Sequence, residues 1–206
     1  MDITLICKVY KHITYIPLGD SCAIAYNIDR LKLRTLAFPF DWVKIKLKDL
    51  IQILENKFKD FDKIEIVKIS EAHRDLEEFS RPTYIITNPY NITMAHEVLS
   101  CDSLDDFKVK LTRRIDRFYD NLQNKIKFVR LETSPYKQCY NDYLNKLINI
   151  LDNICSDYQL ILIVHKSYQD KIINYEDKLK LIFFDDFNPD WRYENIDWTK
   201  IKDILM

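Results

Sequence analysis

The chain has 206 residues, 47% of them apolar and 13% aromatic, enough for one domain with a full hydrophobic core over residues 1–206. Its 31 basic and 32 acidic residues leave a net charge of −1, so no overall field draws it to nucleic acid or to an anionic membrane, and neither is expected as a partner. The five cysteines (Cys7, Cys22, Cys101, Cys139 and Cys155) form no C-x-x-C pair and no zinc-ligand spacing, and nothing else in the sequence calls for a metal or an organic cofactor. The cysteine count is odd, and the opening residues lack the basic start and long apolar run of a secretory signal. A reducing, cytoplasmic setting with thiols is therefore expected. No apolar run approaches transmembrane length.

The first apolar stretch, Ile13–Leu18, predicts a strand ending near Leu18. It runs into Gly19-Asp20-Ser21-Cys22, which holds the one glycine of the chain, against a usual share of about 7%. Ala23, Ile24, Ile28 and Leu31 then recur at helical spacing, predicting a helix from about Cys22 to Leu31. The segment therefore reads as strand, sharp turn, helix, and a sharp turn is where a chain needs glycine. Phe38-Pro-Phe-Asp-Trp42 is a proline-punctuated loop. Leu50, Ile51, Leu54 and Phe58 predict a helix over 47–58, and Ile64–Ile69 alternates as a strand does. Thr83–Thr87 and Ile92–His96 flank the turn signal Asn88-Pro-Tyr-Asn91 and predict a hairpin.

In the second half, Leu104, Phe107, Leu111, Ile115, Phe118 and Leu122 line one helical face, with Arg113, Arg114 and Arg117 beside it as a solvated or salt-bridged face. Lys44, Lys46 and Lys48 also read as a solvated face. Lys127–Leu131 reads as a strand. A second apolar face runs from Tyr140 to Cys155, which places Cys155 in the core. Gln159–Val164 and Leu179–Phe184 are continuous apolar strands, and Trp198–Leu205 is a terminal helix. Unbroken apolar strands alternating with helices predict an α/β fold, a three-layer αβα sandwich on a mostly parallel sheet that the hairpin makes mixed. In such sheets ligands bind beyond the carboxyl ends of the strands. Parallel strands would gather Asp20, Ser21 and Cys22, Glu132 and Thr133, His165, and Asp185 with Asp186 on one rim.

Cys22 is the leading nucleophile candidate. The start of a helix favours a thiolate, and a nearby histidine takes the thiol proton. Gly19-Asp20-Ser21 also resembles the opening block of Gly-Asp-Ser serine esterases and lipases. Those enzymes need a late Asp-x-x-His pair, which this chain lacks, and Ser21 suits a helix N-cap. His12 and His73 read as surface residues, so the base role divides evenly between His96 and His165 on local grounds. Asp41, between Phe40 and Trp42, is expected to be partly buried and to need a partner. It can orient a histidine or cap backbone N–H groups, and Asp20 can play either part.

Taken together, Pro17-Leu-Gly-Asp-Ser-Cys22, Leu33-Arg34, Phe40-Asp-Trp42, Phe58-Lys-Asp-Phe61, Tyr90-Asn-Ile92 with His96, Arg113-Arg-Ile115 with Arg117-Phe118, Phe128-Val-Arg130 and Leu160–His165 resemble the putative papain-like cysteine peptidase family, found in bacteria and large DNA viruses. The segments run in order over most of the chain. The resemblance implies a Cys-His hydrolase with Cys22 as nucleophile and His96 as base, and offers an α+β papain-like fold as the alternative to α/β. One position departs: where the family typically has His-Asp-Phe, this chain has His96-Glu97-Val98.

Two functions from different classes follow, with a Gly-Asp-Ser serine esterase acting through Ser21 as a third, weaker option. In the first, a thiol hydrolase, Cys22 attacks the carbonyl of a peptide or other acyl substrate and His96 takes the proton. Asp41 or Asp20 orients the histidine, and N–H groups at the helix start bind the oxyanion. In the second, a non-catalytic binding module of viral type working in a host cytoplasm, the glycine turn only redirects the chain. Phe38, Phe40 and Trp42 then form a contact loop for a protein partner.

Overall fold

The computed structural model describes residues 13–70, 83–94, 103–133, 140–172, 177–185 and 190–205. In chain order the first half comprises β1 (Ile13–Pro17), α1 (Cys22–Arg30), β2 (Val43–Lys44), α2 (Leu47–Glu55), β3 (Glu65–Ser70), β4 (Thr83–Thr87) and β5 (Thr93–Met94). The second half comprises α3 (Leu104–Asn121), β6 (Lys125–Leu131), α4 (Tyr140–Ile154), β7 (Tyr158–His165), β8 (Leu179–Phe184) and α5 (Trp198–Leu205). Among the described residues, no helix is long and apolar enough to cross a membrane.

Four strands form a parallel sheet in the order β1-β6-β7-β8. Alternate side chains point to opposite faces of a strand, and both faces here are apolar. Ile126 and Phe128 of β6, with Leu160, Leu162 and Val164 of β7, meet Phe107, Leu111 and Phe118 of α3 and Leu144, Leu147 and Leu151 of α4. Val129, Leu131, Ile161 and Ile163 face the other way, towards Ile24 and Ile28 of α1 and Trp198 and Ile201 of α5. Helices thus cover both faces of a parallel sheet, the α/β arrangement read from the sequence, and the α+β alternative is not adopted.

The hairpin forms as well. Asn88 Oδ1 accepts the Tyr90 N–H at 3.0 Å, Asn91 N donates back to Asn88 O at 3.0 Å, and Asn91 takes φ 54°, a left-handed value that asparagine tolerates. Its strands do not make the parallel sheet mixed, however. They build a second, antiparallel sheet in the order β2-β5-β4-β3. The reason is a partner edge absent from the sequence reading. Val43–Lys44 pairs with Met94 and Thr93, and Ile86, Ile92 and Met94 share a core with Val43, Ile45 and α2.

The two sheets meet at Gly19, whose φ is +73°. A Cβ there would stand 2.3 Å from Ile45 Cγ2 and 3.4 Å from the Val43 carbonyl oxygen, so no side chain fits. One glycine therefore answers both a left-handed turn and a close backbone approach.

Arg130 locks the same junction. It continues the inward row of Ile126 and Phe128 on β6 and has no solvent exposure. Its Nη1 donates to Leu18 O at 2.9 Å and its Nη2 to Ile45 O at 3.2 Å, so one side chain grips the ends of β1 and β2. Nε and Nη2 also donate to Glu132 Oε2 at 3.3 and 3.2 Å, and Asp20 Oδ1 lies 3.8 Å from Nη2. The Tyr140 hydroxyl completes the set by donating to Glu132 Oε2 at 3.2 Å. Burial works against the guanidinium charge, but Glu132 and Asp20 outweigh it and hold the pKa above its ordinary value. Burial, reinforced by Asp20, pushes the Glu132 carboxyl up despite Arg130.

Two stability predictions follow from this junction. Replacing Arg130 with Met strands two buried carboxylates and two carbonyl oxygens, and should cost about 3–5 kcal/mol in urea unfolding. Adding Glu132→Gln should recover part of that loss, whereas additive costs would show that the pair is not coupled. Gly19→Ala should cost about 2–4 kcal/mol from a left-handed alanine and an overpacked contact. In that background Ile45→Ala should cost less than it does alone, because it removes the clashing Cγ2.

Candidate active site

All four strands of the parallel sheet end on one rim, as the sequence led us to expect. Along that rim β1 and β6 are neighbours whose chains leave in opposite directions. β1 leads into α1 on one face of the sheet, and β6 leads into α4 on the other. In parallel sheets such a divergence is where a crevice at the carboxyl ends is expected, the usual ligand position. Gly19–Cys22 lies on one side of it, Glu132 and Thr133 on the other.

The turn is built residue by residue. Gly19 and Asp20 both take left-handed backbone, φ 73° and 69°, which reverses the chain within two residues. Ser21 returns to extended backbone at φ −146° and caps α1, its Oγ accepting the Ala23 N–H at 3.1 Å. Cys22 is the first residue of α1 and is half-buried. Asp20 is almost fully buried, and its Oδ2 accepts from Thr133 N at 2.6 Å and Thr133 Oγ1 at 2.7 Å, a clamp across the crevice. The contacts of Asp20 are thus to Thr133 and Arg130, and Ser21 spends its hydroxyl as the cap that its sequence position suggested.

The chemistry available at Cys22 follows from its place. The first N–H groups of a helix have no intrahelical acceptors, and they carry the positive end of the helix dipole. A thiolate and a developing oxyanion are both favoured there. Cys155, by contrast, is buried in the core at the end of α4, with Sγ 3.7 Å from Asp157 O. Cys7, Cys101 and Cys139 lie outside the described residues.

Of the two histidines weighed as base, His96 lies outside the described residues, together with Glu97, as do His12, His73 and Asp186. His165 does stand on the rim, at the end of β7 and two strands from β1. Its ring nitrogens are engaged locally. Nε2 meets the Asp185 carbonyl, while Nδ1 accepts from Ser167 N at 3.3 Å and lies 2.9 Å from Ser167 Oγ, capping the short turn 166–168. Lys166 binds Asp185 Oδ1 at 2.7 Å beside it. Among the described residues no group of three His, Cys, Asp or Glu side chains is placed to hold a metal ion.

Asp41 is fully buried, beyond the partial burial its aromatic neighbours suggested, and its partner is Arg34. Oδ2 accepts from Arg34 Nε at 3.0 Å, Arg34 Nη2 at 2.6 Å and Phe38 N at 3.2 Å, while Oδ1 has no hydrogen-bond partner among the described residues. Burial pushes the Asp41 carboxyl above its ordinary range, and Arg34 and then Arg114 offset this only in part. Here the arginine face of α3 needs correction. Arg113 is exposed, but Arg114 is buried and turns inward towards Asp41.

The sequence reading missed the roles of Arg130, Glu132 and Thr133 as holders of the turn. One signal was present: a charged residue at an inward position of a strand whose other inward positions, Ile126 and Phe128, are core.

Asp41 sets a pH prediction. A carboxyl whose pKa is raised on folding contributes stability below its unfolded pKa of about 3.9 and loses it as pH climbs through the folded value. Asp41→Asn lacks this loss, so it should gain on the parent chain as pH rises from about 4, read from urea midpoints. A variant that loses ground over that range would show the carboxylate held ionised by Arg34.

Comparison with known proteins gives the family of the chain. The profile of a family described as putative papain-like cysteine peptidase matches residues 13–168, from β1 through the turn that follows β7. That span contains Gly19–Cys22, Asp41, the Arg130–Thr133 holders and His165, and stops before β8 and α5. An uncharacterized protein of Acanthamoeba polyphaga mimivirus is 27% identical over 216 residues, covering 91% of this chain and 96% of the relative. No solved structure matches the chain. With its nucleophile candidate and the residues that hold it inside the matched span, the chain belongs to the putative papain-like cysteine peptidase family.

Proposed function

We propose that the protein is a cysteine-dependent acyl hydrolase acting on a peptide, an isopeptide or another acyl substrate. One observation carries the reading: Cys22 opens α1 at the crevice between β1 and β6, on a turn held by Arg130, Asp20 and Thr133. Cys22 Sγ adds to the carbonyl carbon, and the oxyanion forms against the first-turn N–H groups of α1 other than that of Ala23, which Ser21 caps. The proton from the thiol passes to His96 and then to the leaving amine or alkoxide as the thioester forms. Water cleaves the thioester, releasing the acid and restoring the thiol.

His96 as base rests on the family resemblance, since it lies outside the described residues. For the orienting carboxylate, Asp41 is the better choice. Its Oδ1 has no hydrogen-bond partner among the described residues, whereas Asp20 is engaged by Thr133 and Arg130.

The decisive measurement is the pH dependence of alkylation by iodoacetamide, resolved by cysteine with peptide mass spectrometry. Cys22 should label selectively, and well below the ordinary thiol pKa of about 8.5. His96→Ala should move its profile upward, and Cys22→Ala should remove that label alone. A Cys22 that reacts no faster than the other cysteines would sink the hydrolase and leave a non-catalytic binding protein as the reading.

A further inference from the structure

Tyr26 lies one helical turn beyond Cys22, and residues at i and i+4 share a helix face. Its ring meets Trp191 nearly edge-on with centroids 5.3 Å apart, and Trp191 stands 6.4 Å from Trp42. Trp191 remains 36% exposed, and Tyr26 and Trp42 are half-buried. Three rings from three distant chain segments thus gather beside the candidate nucleophile.

The segments carrying two of the rings are constrained by the fold. Asn27 Nδ2 donates to Arg192 O at 2.9 Å, which pins the segment carrying Trp191 to α1. Trp42 takes φ 60°, a left-handed value that is costly for a bulky side chain. Such strain persists where the surroundings enforce it, and it concentrates at ligand sites. The next residue, Val43, is the one whose carbonyl borders Gly19, so Trp42 flanks the turn from the side of the antiparallel sheet. The Arg192 guanidinium lies 4.9 Å over the Trp191 ring and is paired with Asp190, whose Oδ1 is 3.5 Å from its Nη1.

We propose that Tyr26, Trp42 and Trp191 form a subsite for an aromatic or large apolar group carried next to the scissile carbonyl. This rests on Cys22 being the nucleophile. Partly exposed rings offer such a group both apolar area and edge or face contacts. Arg192 already takes the cation position over Trp191, so an ammonium-bearing group is disfavoured.

The test is binding to the full chain carrying Cys22→Ala, measured by ligand-observed NMR, so that turnover plays no part. The probes are N-acetyl-phenylalaninamide, N-acetyl-lysinamide and N-acetyl-glycinamide. The aromatic probe should bind about tenfold more tightly than the other two. Adding Trp191→Ala, or Tyr26→Ala as a second variant, should bring the three within about twofold of one another, with the fold confirmed by circular dichroism. Equal affinities before those changes, or a preference that survives both, would overturn the subsite alone. Failure of Cys22 to alkylate selectively in the parent protein would overturn the nucleophile, and with it the substrate role of the rings.

Discussion

A guanidinium with no access to solvent joins the parts of this protein that chemistry would use. Arg130 reaches from the middle of the parallel sheet to the carbonyl of Leu18, just before the glycine turn, and to the carbonyl of Ile45, just after β2. A buried charge is tolerable only when paired and fully hydrogen-bonded. Glu132 supplies the pair, Asp20 adds a second negative charge, and Tyr140 fills a remaining acceptor position on Glu132. The cost of burying the ions is offset only while all three backbone segments keep their places. The interaction therefore specifies geometry more than it adds stability.

From that anchor the rest of the site is constrained. Leu18 is fixed by Arg130 and by its own N–H bond to Val129 O at 2.8 Å, and Gly19 is pressed against Ile45. Asp20 is clamped to Thr133, so the chain has little choice but to start α1 with Cys22 at the crevice. Two successive left-handed residues are an uncommon way to leave a strand. Here they are enforced from both sides, by the antiparallel sheet through Ile45 and by β6 through Thr133. The backbone of Cys22 is thus placed from two sides, which suits a residue whose thiol would have to meet a carbonyl at close range.

Much of this architecture was legible in the residues. The alternation of Ile126, Phe128 and of Leu160, Leu162, Val164 against Val129, Leu131 and Ile161, Ile163 marks strands buried on two faces, and hence a parallel sheet covered by helices. The solitary Gly19 marked the turn, and Asn88-Pro-Tyr-Asn91 marked the hairpin. Arg114 was not legible. A charge beside the apolar stripe of an amphipathic helix looks solvated until a buried carboxylate, Asp41, is found facing it from a loop far earlier in the chain. Nor was the second sheet, because β2 is two residues long and exists only by pairing with β5.

By itself, then, the sequence determined what is local: where strands, helices and turns form, which faces are apolar, and that a thiol follows a sharp turn. Those properties depend on neighbours within a few residues, through backbone sterics and side-chain periodicity. Tertiary structure decided what depends on contacts between distant segments. It put Thr133 on Asp20, Arg130 on Leu18 and Ile45, Arg34 on Asp41, and Trp191 beside Tyr26. Hydrogen bonds and ion pairs between such segments leave no periodic trace in the chain, since each partner taken alone is only a polar or aromatic residue at the edge of an element.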